Sequence, residues 1–223
     1  MSLCANLHYI QNQIGECEKK YHREIGSVQL LAVTKGRSLS AISELTEAGQ
    51  HRFGENYIQE ALPKILKRPD LEWHFIGPIQ ANKTRHIAEH FSWVHSVADM
   101  KIAKRLNDQR PFSLPRLNIC IQVNISHELT KSGINEETLY PLLEYCLSLP
   151  RLHVRGLMTI PTETSVYEEQ RNVFKQMALL QQRCNQLMLE NQLDTLSMGM
   201  SNDYEAAIAE GSTVVRIGRA LFL

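Results

Sequence analysis

A lysine follows the first apolar segment of the chain, in the stretch LLAVTKGRS at residues 30–38. Four apolar residues, Leu30–Val33, are typical of a short buried strand, and Lys35 comes two positions after them. A lysine is costly to bury without a partner, and the carboxyl ends of strands in α/β proteins are where ligands bind. Lys35 is therefore either a solvent-exposed side chain or a reactive amine.

A candidate anion-binding region lies near the end of the sequence. The segment SNDYEAAIAE (201–210) begins after an apolar run and favours a helix, so Ser201 or Asn202 is expected near a helix N-cap. Free backbone N–H groups at a helix start bind anions, and barrels often hold phosphates in the loops after strands seven and eight. The segment RIGR (216–219) ends the last apolar run, and its Gly218 would let a ligand approach the backbone. The alternative is an ordinary capped helix followed by a last strand.

A lysine amine and a phosphate site on one face predict a cofactor that is held at both ends. Pyridoxal 5′-phosphate has an aldehyde that reacts with an amine and a phosphate that suits a helix start. Lys35 would supply the amine, and Arg219 could add a positive charge beside the phosphate. The residues alone leave open a regulatory protein that has no essential ligand and acts through contacts with other proteins.

Short apolar runs alternate with longer amphipathic segments along the chain. Eight runs are predicted to be strands: VQLLAV (28–33), HRFGEN (51–56), WHFIG (73–77), WVHSV (93–97), LNICIQVN (117–124), VRGLMT (154–159), TLSMGM (195–200) and VVRIG (214–218). Helices are predicted near residues 3–25, 38–49, 55–67, 79–91, 99–109, 135–148, 165–191 and 202–210. This alternation predicts an α/β fold, a single (β/α)8 TIM barrel over residues 1–223 with an extra N-terminal helix. A doubly wound open sheet is the alternative, which periodicity alone does not separate from the barrel.

Polar and small residues collect where the predicted strands end. They are Lys35, Asn56, His74, Gly77, His95, Ser96, Asn124, Thr159, Ser201, Arg216 and Gly218. In a barrel these positions would form the face that carries the active site. Because loops are polar in any fold, the pattern supports the barrel without deciding it.

The composition narrows the class of protein and its compartment. Lys plus Arg and Asp plus Glu number 24 each, so the formal net charge is zero, which argues against a general nucleic-acid binder. Five widely spaced cysteines without a CxxC pair favour reduced thiols in the cytoplasm. No secretory signal and no run of roughly 18 apolar residues is found, so neither export nor a membrane span is expected.

A competing pattern is HIAEH at residues 86–90, which matches the H-x-x-E-H arrangement of inverted zinc metallopeptidases. On a helix, His86 and His90 would share one face, as metal ligands must. A third ligand has no obvious motif elsewhere in the sequence, and a five-residue pattern arises easily by chance. We therefore expect no metal site.

Several long segments together resemble a known family. They are AVTK (32–35), FGENYIQE (53–60), WHFIGPIQANK (73–83), VNIS (123–126) with KSG (131–133), RGLMTI (155–160), MGMSNDYEAAIAEGSTVVRIG (198–218) and ALF (220–222). The chain resembles the pyridoxal phosphate homeostasis protein family from about residue 3 to its end. The resemblance implies a fold type III barrel, like the N-terminal domain of alanine racemase.

The same resemblance implies roles for individual residues. Lys35 would hold pyridoxal 5′-phosphate as a Schiff base. The remaining contacts would be Ser201, Gly218 and Arg219 at the phosphate, Arg216 at the pyridine nitrogen, Asn56 beside the ring, and Met158 and Met200 as apolar walls.

The chain departs from the family pattern in three places. Gly36 stands where a larger residue is frequent, Arg219 where a small hydroxyl residue is usual, and Leu223 where the family has glycine. Arg219 bears most on function, since its side chain could pair with the phosphate or turn outward.

Arg216 also bears on whether the protein is an enzyme. An arginine can only donate hydrogen bonds, so the pyridine nitrogen beside it would stay unprotonated and the ring would stabilise a carbanion weakly. In alanine racemase a second acid/base comes from another domain and a partner subunit, and this chain ends soon after Arg216. We expect a monomeric cofactor-binding protein in vitamin B6 homeostasis with little or no turnover, with apo-enzymes that need the cofactor as candidate partners. An amino-acid racemase-like enzyme is the alternative.

Overall fold

The computed structural model describes residues 2–126, 131–188 and 192–222. Its strands are β1 Gln29–Val33, β2 Arg52–Glu55, β3 Glu72–Phe75, β4 Trp93–Val97, β5 Leu117–Gln122, β6 Leu152–Met158, β7 Thr195–Ser197 and β8 Val214–Ile217. Its α-helices are α1 Leu3–Lys20, α2 Leu39–Glu47, α3 Ile58–Lys67, α4 Thr84–His90, α5 Met100–Gln109, α6 Glu136–Leu147, α7 Tyr167–Leu187 and α8 Tyr204–Ala209. Two 3-10 turns, Ala81–Lys83 and Arg219–Leu221, precede α4 and follow β8.

The eight strands close into a barrel in chain order, and every neighbouring pair is parallel. Closure comes from the pairing of β1 with β8, in which Ala32 lies opposite Ile217. The predicted (β/α)8 TIM barrel is confirmed. The open doubly wound sheet is excluded because an open sheet has two edge strands, whereas each of these eight strands pairs with a neighbour on both sides. Each of the eight predicted runs overlaps a strand, although β3 begins one residue earlier and β6 two residues earlier than predicted.

Two sets of buried side chains hold the barrel. The larger set lies between strands and helices and includes Ala32 of β1 and Trp73 of β3. A separate cluster of Trp93, Cys120 and Met158 belongs to strands β4, β5 and β6. Successive strand residues point to opposite faces, so the second cluster faces the barrel interior.

Polar residues at the helix starts match the predicted boundaries. Their side chains accept a backbone N–H in the first turn: Ser2 from Ala5, Ser38 from Ala41, Asp99 from Ile102 and Asn135 from Thr138. Such caps satisfy N–H groups that a helix leaves without partners. Ser38, Asp99 and Asn135 fix where α2, α5 and α6 begin after the preceding strands. The loop that ends at Ser38 carries Lys35.

Some helices are shorter than predicted. The first was predicted near 3–25 but ends at Lys20, since His22 has a positive φ of 55° that a right-handed helix does not allow. Helix α7 ends at Leu187, and residues 189–191 of its predicted span lie outside the described part of the chain. No helix among the described residues is both long and apolar enough to cross a lipid bilayer.

Candidate functional site

The carboxyl ends of all eight strands form one rim of the barrel, because every strand is parallel to its neighbours. Lys35 follows β1, Asn56 follows β2, Ser201 lies in the turn after β7, and Gly218 follows β8. The pairing of β1 with β8 puts two of these ends side by side. The structure therefore brings the predicted lysine and the predicted phosphate segments to the same rim.

The side chain of Lys35 is exposed, and its amine makes no hydrogen bond or ion pair with any residue that the structure describes. The preceding residue, Thr34, is fully buried and firmly held. Its hydroxyl donates to Oε1 of Glu55 at 2.6 Å, and Nζ of Lys64 donates to its carbonyl at 2.8 Å. An anchored backbone thus presents an accessible primary amine.

A buried ion pair supports this strand end from the helix side. Nζ of Lys64 lies 2.7 Å from Oε1 of Glu55, while Oε2 of Glu55 is buried without a partner among the described residues. Burial raises the pKa of Glu55, and its contacts with Lys64 and Thr34 oppose that shift. Sequence reasoning missed this pair, although a glutamate inside the run HRFGEN was a visible irregularity.

Gly36 is explained by its backbone conformation. Its φ is +68°, and a Cβ added there would meet no atom within 4 Å, so conformation rather than space favours glycine. Its N–H donates to Oε2 of Glu60 at 2.8 Å. The loop after Lys35 therefore turns sharply and is tied to α3.

Replacing Gly36 with alanine should lower the free energy of unfolding by about 1–2 kcal/mol, because a Cβ penalises the left-handed conformation. Urea unfolding measures this change. A matched control is Gly15→Ala in α1, where φ is not positive and nothing lies within 4 Å. That variant should gain about 0.5–1 kcal/mol from helix propensity. A Gly36→Ala protein as stable as the parent would contradict the prediction.

Two turns face each other where the phosphate was predicted. The backbone N–H of Ala220 donates to Oγ of Ser201 at 3.4 Å, which links the turn after β7 to the 3-10 turn after β8. Within the described chain, the N–H groups of Ser201, Asn202 and Arg219 have no acceptor. Unused N–H groups on two adjoining turns form a suitable cradle for an anion.

Glycines allow these turns to pack closely. A Cβ on Gly199, whose φ is +96°, would lie 2.6 Å from Cβ of Ala207. A Cβ on Gly218 would lie 3.3 Å from Cβ of Val33, two residues before the lysine. The side chain of Arg219 is exposed.

The helix after Ser201 begins later than the sequence indicated. Its N-cap is Asp203, and α8 has only six residues. Oδ1 of Asp203 accepts the N–H of Met200 at 2.6 Å. Burial raises the pKa of Asp203, and the Met200 hydrogen bond and Arg216 oppose that shift. Asp203 thus shapes the turn, and its function was missed because its neighbours Ser201 and Asn202 are equally good capping residues.

Arg216 is a buried cation, with 4% of its surface exposed. Its Nη1 donates to the carbonyl of Ser197 at 2.6 Å and to Oγ of Ser197 at 2.8 Å, and Nη2 donates to the carbonyl of Thr159 at 2.9 Å. Burial lowers the pKa of Arg216 to about 10, and Asp203 opposes that shift. No carboxylate of the described residues pairs with it, and a guanidinium has five N–H groups, so donors remain for a ligand.

His74 and His95 were predicted at the rim, but the structure places both inside the barrel. Nδ1 of His95 lies 2.8 Å from Oγ of Ser197, and Nε2 of His95 lies 2.9 Å from Nδ1 of His74. Nε2 of His74 lies 2.7 Å from Oε1 of Glu72. The contact between β4 and β7, which are not neighbours, must cross the interior. We call Glu72, His74, His95, Ser197 and Arg216 the interior chain.

Acid should destabilise the protein through these two histidines. Burial lowers the pKa of His74 and that of His95, so the unfolded chain binds protons where the folded protein does not. Above about pH 6.5, the ordinary pKa of histidine, the free energy of unfolding should keep its highest value. As the pH is lowered from about 6.5, it should decrease by about 1.4 kcal/mol per pH unit for each histidine.

Urea unfolding between about pH 7.5 and about pH 5, on either side of the ordinary histidine pKa, measures this slope. A free energy of unfolding that is constant across this range would contradict the prediction.

Asn56 contributes an unpaired oxygen at the rim. Its Oδ1 is buried and has no partner among the described residues. A Cβ on Gly77 would lie 2.1 Å from the main-chain oxygen of Asn56, so only glycine lets the two strand ends approach. Together with the Lys35 amine, the buried Arg216 and the two turns, this set fits an anionic aromatic cofactor that carries an aldehyde.

The two predicted methionine walls differ in position. Met158 is fully buried against Trp93 and Cys120 in the interior cluster. Met200 is partly buried in the turn that Asp203 holds.

The HIAEH segment lies on α4, in the helical layer outside the barrel. The ligating atoms of His86, Glu89 and His90 lie within 4.8 Å of one another. However, Nδ1 of His90 contacts the carbonyl of His86 at 3.0 Å, and Glu89 lies 3.6 Å from Arg85. These side chains therefore contact other residues of α4, and none of them lies at the rim.

Comparison with known proteins agrees with this geometry. The model of the family described as "Alanine racemase, N-terminal domain" matches residues 6–223. The pyridoxal phosphate homeostasis protein of Vibrio cholerae is 50% identical, with 99% of this chain and 95% of the relative covered. The protein of the same name from Escherichia coli is 49% identical over the same shares.

Solved structures show the same fold. PipY of Synechococcus elongatus, solved with PLP bound, has a TM-score of 0.88 at 34% identity, with both chains fully covered. Alanine racemase of Corynebacterium glutamicum has a TM-score of 0.66 at 15% identity over 99% of this chain and 59% of the enzyme, a likeness of fold alone. The chain belongs to the alanine racemase N-terminal domain family, and within it to the pyridoxal phosphate homeostasis proteins.

Proposed function

We propose that this protein binds pyridoxal 5′-phosphate and serves intracellular vitamin B6 homeostasis, with little or no catalytic turnover. The observation that carries the proposal is the accessible amine of Lys35 on the same rim as two turns with unused N–H groups. When bound, the cofactor supplies an aldehyde that forms a covalent bond with a primary amine.

Each rim residue has a proposed task. Lys35 would hold the cofactor covalently, and the turns that contain Ser201, Gly218 and Arg219 would bind its phosphate. Arg216 would donate a hydrogen bond to the ring nitrogen. Asn56 would lie beside the ring, with Met158 and Met200 as apolar walls.

Low turnover follows from the chemistry of Arg216. A guanidinium has no acceptor, so it donates a hydrogen bond to the ring nitrogen and gives up no proton to it. An unprotonated ring withdraws electrons weakly from a carbanion. Binding is therefore favoured over acid–base catalysis.

We further propose that residues 1–223 act as one cofactor-binding domain, that the protein is a cytoplasmic monomer, and that apo-enzymes receive the cofactor from it. The five cysteines are free, in support of a reducing compartment. Burial raises the pKa of Cys120 to about 12, which keeps that thiol unreactive.

Equilibrium dialysis tests the binding. Pyridoxal 5′-phosphate should be retained, while pyridoxal, which lacks the phosphate, should bind much more weakly. Equal retention of both compounds would contradict the phosphate assignment, and no retention of either would reject the function. Incubation of the loaded protein with L-alanine and other amino acids tests turnover, and steady racemisation would favour the enzyme instead.

A further inference from the structure

The interior chain is unusual for a barrel. Barrel interiors are normally filled by branched apolar side chains. Here a continuous line of polar groups runs from Glu72, whose side chain is 39% exposed, through two buried histidines to the buried guanidinium of Arg216. Consecutive members are 2.7, 2.9, 2.8 and 2.8 Å apart. Every link has hydrogen-bond geometry, so the line is one connected network.

The two ends fix the direction of every bond. Arg216 can only donate, and an ionised carboxylate can only accept. The hydrogen bond from His74 lowers the pKa of Glu72, so Glu72 is ionised near neutral pH. Each neutral histidine has one donor and one acceptor nitrogen, which leaves a single arrangement.

In that arrangement all the hydrogens point toward Glu72. Nη1 of Arg216 donates to Oγ of Ser197, whose hydroxyl donates to Nδ1 of His95. Nε2–H of His95 then donates to Nδ1 of His74, and Nε2–H of His74 donates to Glu72. Both histidines are neutral Nε2–H tautomers. The opposite arrangement would put a lone pair of His74 against the carboxylate at 2.7 Å.

We propose that Glu72, His74, His95 and Ser197 are positioning residues that orient Arg216 toward the ring nitrogen of the bound cofactor. This inference rests on the proposed function and deepens it. Hydrogen bonds in a common direction polarise one another. The hydrogen bonds of the interior chain therefore make the electrostatic potential at Oγ of Ser197 more negative. This oxygen accepts directly from the guanidinium of Arg216, a cation that no described carboxylate contacts. The guanidinium keeps its charge and its remaining N–H groups face a ligand.

The first measurement needs no cofactor. Long-range ¹H–¹⁵N NMR of the histidine side chains in the unliganded protein reports their tautomers. Both His74 and His95 should be neutral with the proton on Nε2. A proton on Nδ1 of either ring would overturn the assigned direction.

The second measurement uses ¹⁵N-labelled pyridoxal 5′-phosphate and a variant that interrupts the hydrogen bonds of the interior chain at Ser197. Ser197→Ala removes the hydroxyl link and should move the ring-nitrogen chemical shift and weaken binding about 3- to 10-fold, as expected for one buried hydrogen bond. The matched control is Ser212→Ala. Ser212 is as buried as Ser197, and its hydroxyl donates to main-chain oxygens, including that of Met198 at 2.6 Å. It is not a member of the interior chain. Its shift and affinity should match the parent.

Glu72→Gln provides a second variant at the partly exposed end of the interior chain. It removes the charge and keeps an acceptor, so the ring-nitrogen shift should move in the same direction by a smaller amount. If the parent binds the cofactor and both variants show the same ring-nitrogen shift and affinity as the parent, the positioning role is rejected and the proposed function stands. Absence of binding to the parent would reject the proposed function and this role together.

Discussion

Replacing Lys35 with alanine should abolish covalent attachment of pyridoxal 5′-phosphate. The parent protein, incubated with the cofactor and reduced with borohydride, should gain one cofactor mass on the peptide that contains Lys35. The amine is exposed and has no partner within the described residues, so it is free to react. Lys35 is also the one lysine that lies within two residues of the carboxyl end of a described strand. Mass analysis of the digested protein measures the result, and we expect complete loss of the label.

Two further variants test whether labelling requires the primary amine of Lys35. One controls for the loss of its positive charge and the other for the general reactivity of exposed lysines. Lys35→Arg keeps the positive charge, but a guanidinium is not a nucleophile at neutral pH, so it too should lose the label. Lys67→Ala removes an exposed lysine of α3 and should be labelled like the parent. A Lys35→Ala protein that still carries one reducible cofactor at a defined peptide would place the attachment elsewhere.

Replacing Arg216 with methionine should weaken cofactor binding about 10- to 100-fold, since a hydrogen bond from a charged donor contributes about 1.5–3 kcal/mol. The stability of the unliganded protein should change by less than about 1 kcal/mol, because removing a buried charge offsets the lost hydrogen bonds. The carbonyl of Ser197 keeps the N–H of Thr159 as a donor at 3.2 Å, and Oγ of Ser197 keeps His95. Dialysis with the cofactor and urea unfolding measure the two effects.

A matched arginine shows that the effect is local. Arg155 of β6 pairs with Asp194 at 2.7 Å, and 28% of its side chain is exposed. Arg155→Met should leave cofactor affinity unchanged and cost about 1 kcal/mol or less, as for a surface ion pair. If Arg216→Met instead lost several kcal/mol of stability with normal affinity, Arg216 would be a structural residue.

Much of the fold follows from local pattern. Alternating apolar runs and amphipathic segments predict eight strands and the helices between them, since each buried run must be followed by a segment that can cover it. Capping residues such as Ser38 and Asp99 mark where helices begin. The position of Lys35 after β1 and of Gly218 after β8 is also local, and parallel strands then bring such ends to one rim. These features need no knowledge of distant contacts.

The tertiary structure alone decided the closure of the barrel and the contents of its interior. Closure depends on the pairing of β1 with β8, which are nearly the whole chain apart. His74 and His95 lie within strands whose alternation indicates two faces but not which face points inward. The contact of His95 with Ser197, 102 residues away, exists only once the barrel has closed. Local sequence therefore determined the strand ends that form the rim with Lys35. Long-range packing determined the interior chain, which contacts Arg216 inside the barrel.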